Sequence, residues 1–370
     1  MSKFELSIAK DYVPTWNYID AVRELFQNAL DQQTITEDNE MFFDYNPETE
    51  ILSIGNKLSI LDTSSLLLGA TTKADEDETI GQFGEGYKIA TLVLTRENHP
   101  VTFYNYGAKE VWQPRFVNSR KYRAEVLTFF VDKKYPWQGI PHHNLVITVE
   151  NITQEQYDSI IETNLHLQDI GEHFSTDKGR ILLDDRYKGK VFVSGLFICD
   201  YSNYHHGYDF KPKELSIDRD RKLVDNFDLR WLASQMWLKQ TSDEMREIAS
   251  DLIISDAADT EFVKHVGFDR ENFVKTANHV YSSFKKEYGD GAIPISSQEE
   301  LESISGNVKP IMVSSEYKNV VKSSSHYAEP VRLYKPSPKE RMEEWLEKYE
   351  QQIPSEAFYE LELIVKDLEN

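Results

Sequence analysis

Glu24, Asn28 and Asp31 stand at i, i+4 and i+7 within Val22–Gln33, VRELFQNALDQQ. On an α-helix that spacing places all three side chains on one face. Val22, Leu25, Phe26, Ala29 and Leu30 are left to pack around the stripe. An amide oxygen is a ligand for a hard cation such as Mg²⁺, and a carboxylate can orient and deprotonate a water. A carboxylate, a carboxamide and a second carboxylate in one stripe therefore suit a metal–nucleotide site. They also suit the solvated side of an ordinary amphipathic helix.

A second segment adds phosphate chemistry. Ile80–Ala90 reads IGQFGEGYKIA, so Gly81, Gly84 and Gly86 form G-x-x-G-x-G, followed by Tyr87, Lys88 and an apolar run through Leu94. Glycines let backbone amides approach an anion, and a helix starting just after them adds its positive end. The spacing is not that of the dinucleotide fingerprint, and no G-K-[ST] of a Walker loop occurs.

Together the two motifs resemble the GHKL ATPase superfamily, which includes gyrase B subunits, heat-shock chaperones, histidine kinases and MutL. VRELFQNALDQ is similar to that family's first box, E-x-x-x-N-x-x-D. IGQFGEGYKIA resembles its glycine lid box, in wording nearest the MutL and heat-shock chaperone branches, and Leu67–Lys73, LLGATTK, resembles the segment before the lid. Uncharacterised phage and bacterial GHKL proteins share some of this wording, with phage rIIA-type proteins a distant comparison. The resemblance spans about residues 15–95. It implies a Bergerat-type nucleotide fold that takes ATP and Mg²⁺.

Residue by residue, the resemblance makes Glu24 the general base, Asn28 the magnesium ligand and Asp31 a supporting acid. Gly81, Gly84 and Gly86 become the phosphate cradle. Lys73 and Lys88 are candidate cations near the phosphates, the alternative for each being a solvated lysine. The family's second box, D-x-G-x-G, is altered: Ile51–Ile54 is followed by Gly55, Asn56, Lys57, Leu58 and Ser59. Asn56 is the candidate adenine reader, since its carbonyl accepts and its amide donates. Asp62 is the other candidate, and it also suits a helix N-cap. The fourth box would fall at His143-Asn144 before Leu145–Val149, without its usual Gly-Thr. Lys213–Arg221, KELSIDRDR, resembles the chaperones' middle-domain loop, which makes Arg219 the candidate γ-phosphate sensor with Arg221 and Lys213 behind it. A surface salt-bridge ladder is the plainer reading of that run.

These residues need elements to hold them. The pattern predicts a lead strand within residues 1–15, which the resemblance makes a possible dimer strap. A helix follows over about 16–33 and strands near 40–45 and 50–54 around an Asn-Pro turn. A lid spans 74–86 and a helix 86–95. Strands near 101–106, 110–116, 123–132 and 144–150 complete an α/β sandwich with an antiparallel or mixed sheet and helices on one face. The expected domains are 1–152 for ATP binding, 153–250 as a transducer-like α/β domain, 251–335 as a small α/β region and 336–370 as C-terminal helices. Within the second, Gly189–Cys199 reads as one strand and 227–249 as one helix.

Composition bounds the rest. The 370 residues suffice for two or three cores, and no apolar run reaches the roughly 18–20 residues of a membrane span. MSKFELSIAKDY lacks a signal's apolar core, and Cys199 is the only cysteine, which points to a cytoplasmic protein without an intrachain disulfide. The net charge is −22, from 63 acids and 41 bases. That balance argues against nonspecific DNA binding, although Lys109–Lys134 is locally basic. His142-His143 and His205-His206 have no third ligand at metal-site spacing. The leading expectation is Mg²⁺-dependent ATP hydrolysis driving a conformational switch, with a protein partner or a second copy. The alternative is a catalytically weak, acidic protein-binding module on the same fold, such as a phage-encoded inhibitor.

Overall fold

The computed structural model describes residues 1–66, 86–133, 143–215, 226–239, 242–265, 270–304, 308–330 and 336–367. Within these the chain forms two compact units, Met1–Met236 and Trp237–Asn370.

Seven strands of the first unit form one antiparallel sheet: β1 (Ser2–Ala9), β2 (Met41–Asn46), β3 (Ile51–Asn56), β4 (Val101–Asn105), β5 (Glu110–Ser119), β6 (Ala124–Asp132) and β7 (Leu145–Val149). Their order is β1-β6-β5-β4-β7-β3-β2. The lead segment β1 lies along β6 of its own chain, Ser2 opposite Val131 and Phe4 opposite Phe129. Leu145, Ile147 and Val149 of β7 are buried while Val146 and Thr148 between them are half-buried. That alternation is what a strand covered more fully on one face requires. The covering elements are α1 (Tyr18–Ile35) and α2 (Gly86–Arg96), which pack side by side. Ala21, Val22, Leu25 and Ala29 of α1 and Ile89, Ala90, Leu92 and Val93 of α2 join Leu52, Ile54, Phe103, Trp112 and Phe129 of the sheet in one core.

Local chemistry sets where α1 begins. The Asn17 side chain accepts from the amides of Ile19 and Asp20, and the Asp20 carboxylate accepts from the Asn17 amide. This reciprocal cap satisfies helix-end donors that would otherwise lack partners. Arg96, in the last turn of α2, donates to the carbonyls of Tyr12 (3.0 Å), Val13 (3.3 Å) and Trp16 (2.8 Å). The Tyr18 amide donates to Glu97 at 2.9 Å. The end of α2 thus ties down the loop that feeds α1, including Val13 at a φ of 47°.

After α3 (Gln154–Glu162), a five-stranded mixed sheet follows: β8 (His173–Ser175), β9 (Gly179–Leu182), β10 (Lys190–Val193), β11 (Leu196–Asp200) and β12 (Gly207–Phe210), in the order β11-β10-β12-β9-β8. The single strand expected over Gly189–Cys199 is instead the β10–β11 hairpin. Ser194 and Gly195 turn it, with φ of 49° and 79°, both in the left-handed region that tight hairpins use. The single helix expected over 227–249 is two, α4 (Asn226–Leu238) and α5 (Asp243–Ile254), the second started by a Ser242 cap.

The second unit contains α5, α6 (Arg270–Tyr288), β13 (Ala292–Ile295), α7 (Gln298–Ser303), β14 (Lys309–Met312), α8 (Ser315–Lys322), α9 (Pro338–Tyr349) and α10 (Ser355–Asp367). β13 and β14 pair in parallel. The fold is mixed α/β with a large antiparallel sheet and a helical C-terminus. Among the described residues no helix is long and apolar enough to cross a membrane.

Candidate functional site

The polar stripe of α1 faces protein. Glu24 and Asp31 are each about 2% exposed and Asn28 is half-buried. A solvated polar face is therefore not what these residues make. Burying carboxylates is costly unless the surroundings compensate them.

What lies against the stripe is Gly86, the first residue of α2 and the last glycine of the G-x-x-G-x-G run. A Cβ on Gly86 would stand 2.5 Å from Glu24 Oε2, 3.2 Å from Asn28 Nδ2 and 3.7 Å from Glu24 Cδ. The two motifs, about sixty residues apart in sequence, meet here. The carboxamide of Asn28 is oriented: Nδ2 donates to the Glu24 carbonyl at 2.7 Å, and Oδ1 accepts no hydrogen bond among the described residues. An amide nitrogen tied back to its own helix leaves an open oxygen.

Glu24 also has a cation on its flank. Glu24 Oε1 lies 3.8 Å from Arg23 Nη2, and Arg23 Nη1 lies 3.5 Å from Asp20 Oδ1. The Arg23 guanidinium sits over the Trp16 ring, 5.7 Å from its centroid. Sequence reading did not single out Arg23.

Lys88 is fully buried, with its ammonium 5.6 Å from the Tyr87 ring centroid. The solvated-lysine alternative fails for it. Tyr87 fastens the start of α2 to the short turn Thr63–Leu66: its hydroxyl donates to the Ser65 carbonyl at 2.8 Å and meets Ser65 Oγ at 2.9 Å. Burial pushes the Tyr87 hydroxyl up to about 12, with the Ser65 hydrogen bond pulling the other way.

Asn56 ends β3 and is buried. Its Nδ2 donates to the carbonyls of Ala29, at 2.8 Å, and Asn39, at 3.2 Å. Both amide protons are spent on holding β3 to α1 and to the loop before β2, which corrects the expectation that the group both donates to and accepts from adenine. Only its Oδ1 remains for that task. Asp62 caps the Thr63–Leu66 turn, accepting from the Ser64 amide at 2.8 Å. That backbone hydrogen bond holds its carboxyl below the usual range.

Lys73, Gly81, Gly84, Arg219, Arg221 and His142 lie outside the described residues. Lys213 is exposed, and His143 packs on Phe42 with ring centroids 4.3 Å apart. Among the described residues no cluster of three or more His, Cys, Asp or Glu side chains is placed to hold a metal.

No family model matches this chain. An uncharacterized protein of Mycoplasma pneumoniae is 26% identical over 238 residues, covering 60% of this chain and 92% of that protein. Two solved structures of the ATPase region of Saccharomyces cerevisiae topoisomerase II overlap the fold. The one bound to ICRF-187 (dexrazoxane) has a TM-score of 0.35 and 8% identity, over 55% of this chain and 76% of that one. The other has a TM-score of 0.31 and 9% identity, over 60% and 82%. At those scores the overlap carries no weight for chemistry, which rests on the side chains themselves.

Proposed function

We propose that this protein is a Mg²⁺-dependent ATP hydrolase of the GHKL type, built on a Bergerat-type sandwich and acting as a nucleotide-driven conformational switch. The observation that carries the reading is the packing of Gly86 against Glu24 and Asn28. It brings a carboxylate, a carboxamide and the glycine that starts a helix together at one point. The wording of the two motifs, nearest to MutL and heat-shock chaperones, supports the same reading.

Asn28 fits a magnesium ion. The ion prefers oxygen ligands, keeps several waters and needs only one or two protein groups beside the phosphates, and the Asn28 oxygen is open. When bound, Mg²⁺ would neutralise charge on the phosphates. Glu24 would orient a water and take its proton. Gly86 would leave the start of α2 bare, so that its amides can face an anion. Asn56 would accept from the adenine amino group. In the same reading Lys73, Lys88, Gly81 and Gly84 bind the phosphates and Arg219 stabilises charge on the transferring group.

A second reading, an acidic protein-binding module, draws on Asn56: with its donors spent, adenine is held by a single acceptor. One experiment separates the two. ATP hydrolysis with and without Mg²⁺ is measured for wild type and Glu24→Gln, with ATP binding measured on both. Hydrolysis that falls about 100-fold or more in the variant, with binding retained, is the expected result. Absence of ATP binding by the wild type would overturn the hydrolase and leave the binding module.

A further inference from the structure

The helix that carries Glu24 has a second face, and that face touches the second sheet. Ile19, Val22, Arg23 and Phe26 line a shallow cleft with Thr163 and Leu196 on its far side. The Phe26 ring lies 5.7 Å from the ring of His166, whose Nε2 is 2.7 Å from the Ser194 carbonyl in the β10–β11 turn. Across this seam Arg23 Nη1 donates to the Phe197 carbonyl on β11, at 3.3 Å.

We infer that Arg23 is a positioning residue for Glu24, and that the Phe197 carbonyl fixes where it stands, so that the second sheet sets the rate of hydrolysis separately from nucleotide binding. The inference rests on the hydrolase reading above.

Consecutive helix residues point about 100° apart, so Arg23 and Glu24 leave the helix in different directions. Arg23 leaves toward the hairpin, and only the end of its long side chain comes back to within 3.8 Å of Glu24 Oε1. Both side chains are nearly buried, 8% and 2% exposed, so water screens their attraction little. A guanidinium offers five donors in a fixed plane, and a lysine has one mobile point. Arg23 can therefore meet Asp20, Glu24 and Phe197 at once while lying on Trp16. Glu24 is held between two constraints of different origin, Gly86 from α2 on one side and Arg23, set by β11, on the other. A shift of the hairpin would be carried by the guanidinium to the carboxylate that activates water.

The test compares wild type, Arg23→Lys and Leu196→Val. ATP binding and turnover are measured separately. Amide hydrogen exchange over residues 190–200 is followed with and without a non-hydrolysable ATP analogue and Mg²⁺. Arg23→Lys keeps the charge and loses the fork. Its kcat should fall about 10-fold, the scale of a slightly misplaced catalytic group, with the Kd for ATP within about twofold. The analogue should change exchange in the hairpin of the wild type and leave that of Arg23→Lys unmoved. Leu196→Val trims the seam without touching the charge, and should lower kcat in the same sense if Arg23→Lys proves too unstable to measure. An unchanged kcat, a Kd that weakens in step with kcat, or a hairpin response that persists in Arg23→Lys overturns the inference while the hydrolase stands. A wild type that binds no ATP overturns the hydrolase itself, and is recognised without any variant.

Discussion

Gly86 stands so close to Glu24 that a methyl group in place of its hydrogen would lie 2.5 Å from the carboxylate oxygen. In an open helix, glycine to alanine stabilises by about 1 kcal/mol. Here the methyl must displace Glu24 or tilt the start of α2. Gly86→Ala is expected to lose that gain, with a melting temperature no higher than the wild type's. Hydrolysis should fall about 100-fold, as it does when a catalytic group is moved by an ångström. Thermal unfolding and turnover on one preparation check both. A variant that is more stable and fully active would mean that the two groups do not press on one another.

Asn28 gives a sharper view of the cation. Its Nδ2 is committed to the Glu24 carbonyl at 2.7 Å, so the open atom is Oδ1. Asn28→Ala removes both, yet the hydrogen bond lost is local and worth about 1 kcal/mol. Stability should change little, while the Mg²⁺-dependent part of ATP binding is lost. Calorimetric titration of ATP with Mg²⁺ and with EDTA checks it: the wild type should bind more tightly with Mg²⁺, and Asn28→Ala equally in both.

Much of this was legible in the chain and some was not, for reasons that can be named. The positions of β2 to β7 follow from short runs rich in β-branched and aromatic residues bounded by turn residues. The meeting of Glu24, Asn28 and Gly86 is implied by the family likeness of two motifs. The β10–β11 hairpin was hidden because its turn, Ser194-Gly195, sits inside VFVSGLFIC, where apolar residues run through on both sides. Ser-Gly is a turn signal, but serine is not the residue usually found at positive φ. α6 went unread although it is 19 residues long, its apolar positions diluted by lysines, asparagines and serines. Arg23 carries no local signal: its partner Phe197 is 174 residues away in sequence, and only the fold brings them together.

Asn56 now has a narrower role, and a nucleotide can probe it without a mutation. With both amide protons on the carbonyls of Ala29 and Asn39, Oδ1 can only accept. A base with an exocyclic amino group satisfies it, and one with a carbonyl there leaves two acceptors face to face. Inosine triphosphate should therefore bind about 10-fold or more weakly than ATP, the scale of one mismatched buried hydrogen bond. Asn56→Ala, by contrast, should cost about 2–4 kcal/mol of stability by leaving two buried carbonyls without a donor. Equal affinity for the two nucleotides would exclude Asn56 from reading the base.

The Tyr87 clamp on Ser65 should appear in the pH dependence of stability. Its hydroxyl is held at about 12 in the fold, above its ordinary value of 10.0, because burial disfavours the phenolate. A group whose acidity constant is raised by folding contributes stability that is whole below its unfolded value and is lost as pH rises through the folded one. The window is therefore pH 10 to about 12. Tyr87→Phe loses the hydrogen bond to the Ser65 carbonyl and should be about 1 kcal/mol less stable at pH 8. It also loses the group that titrates. The wild type's advantage should vanish and then reverse between pH 10 and 12, a total change on the order of 2–3 kcal/mol for a shift of this size. Urea unfolding at pH 8, 10 and 11 reads the difference directly, and the other tyrosines cancel because both proteins carry them. A gap that stays constant across the three would mean that the Tyr87 hydroxyl is not held in the buried, neutral form that joins Ser65 to the first turn of α2.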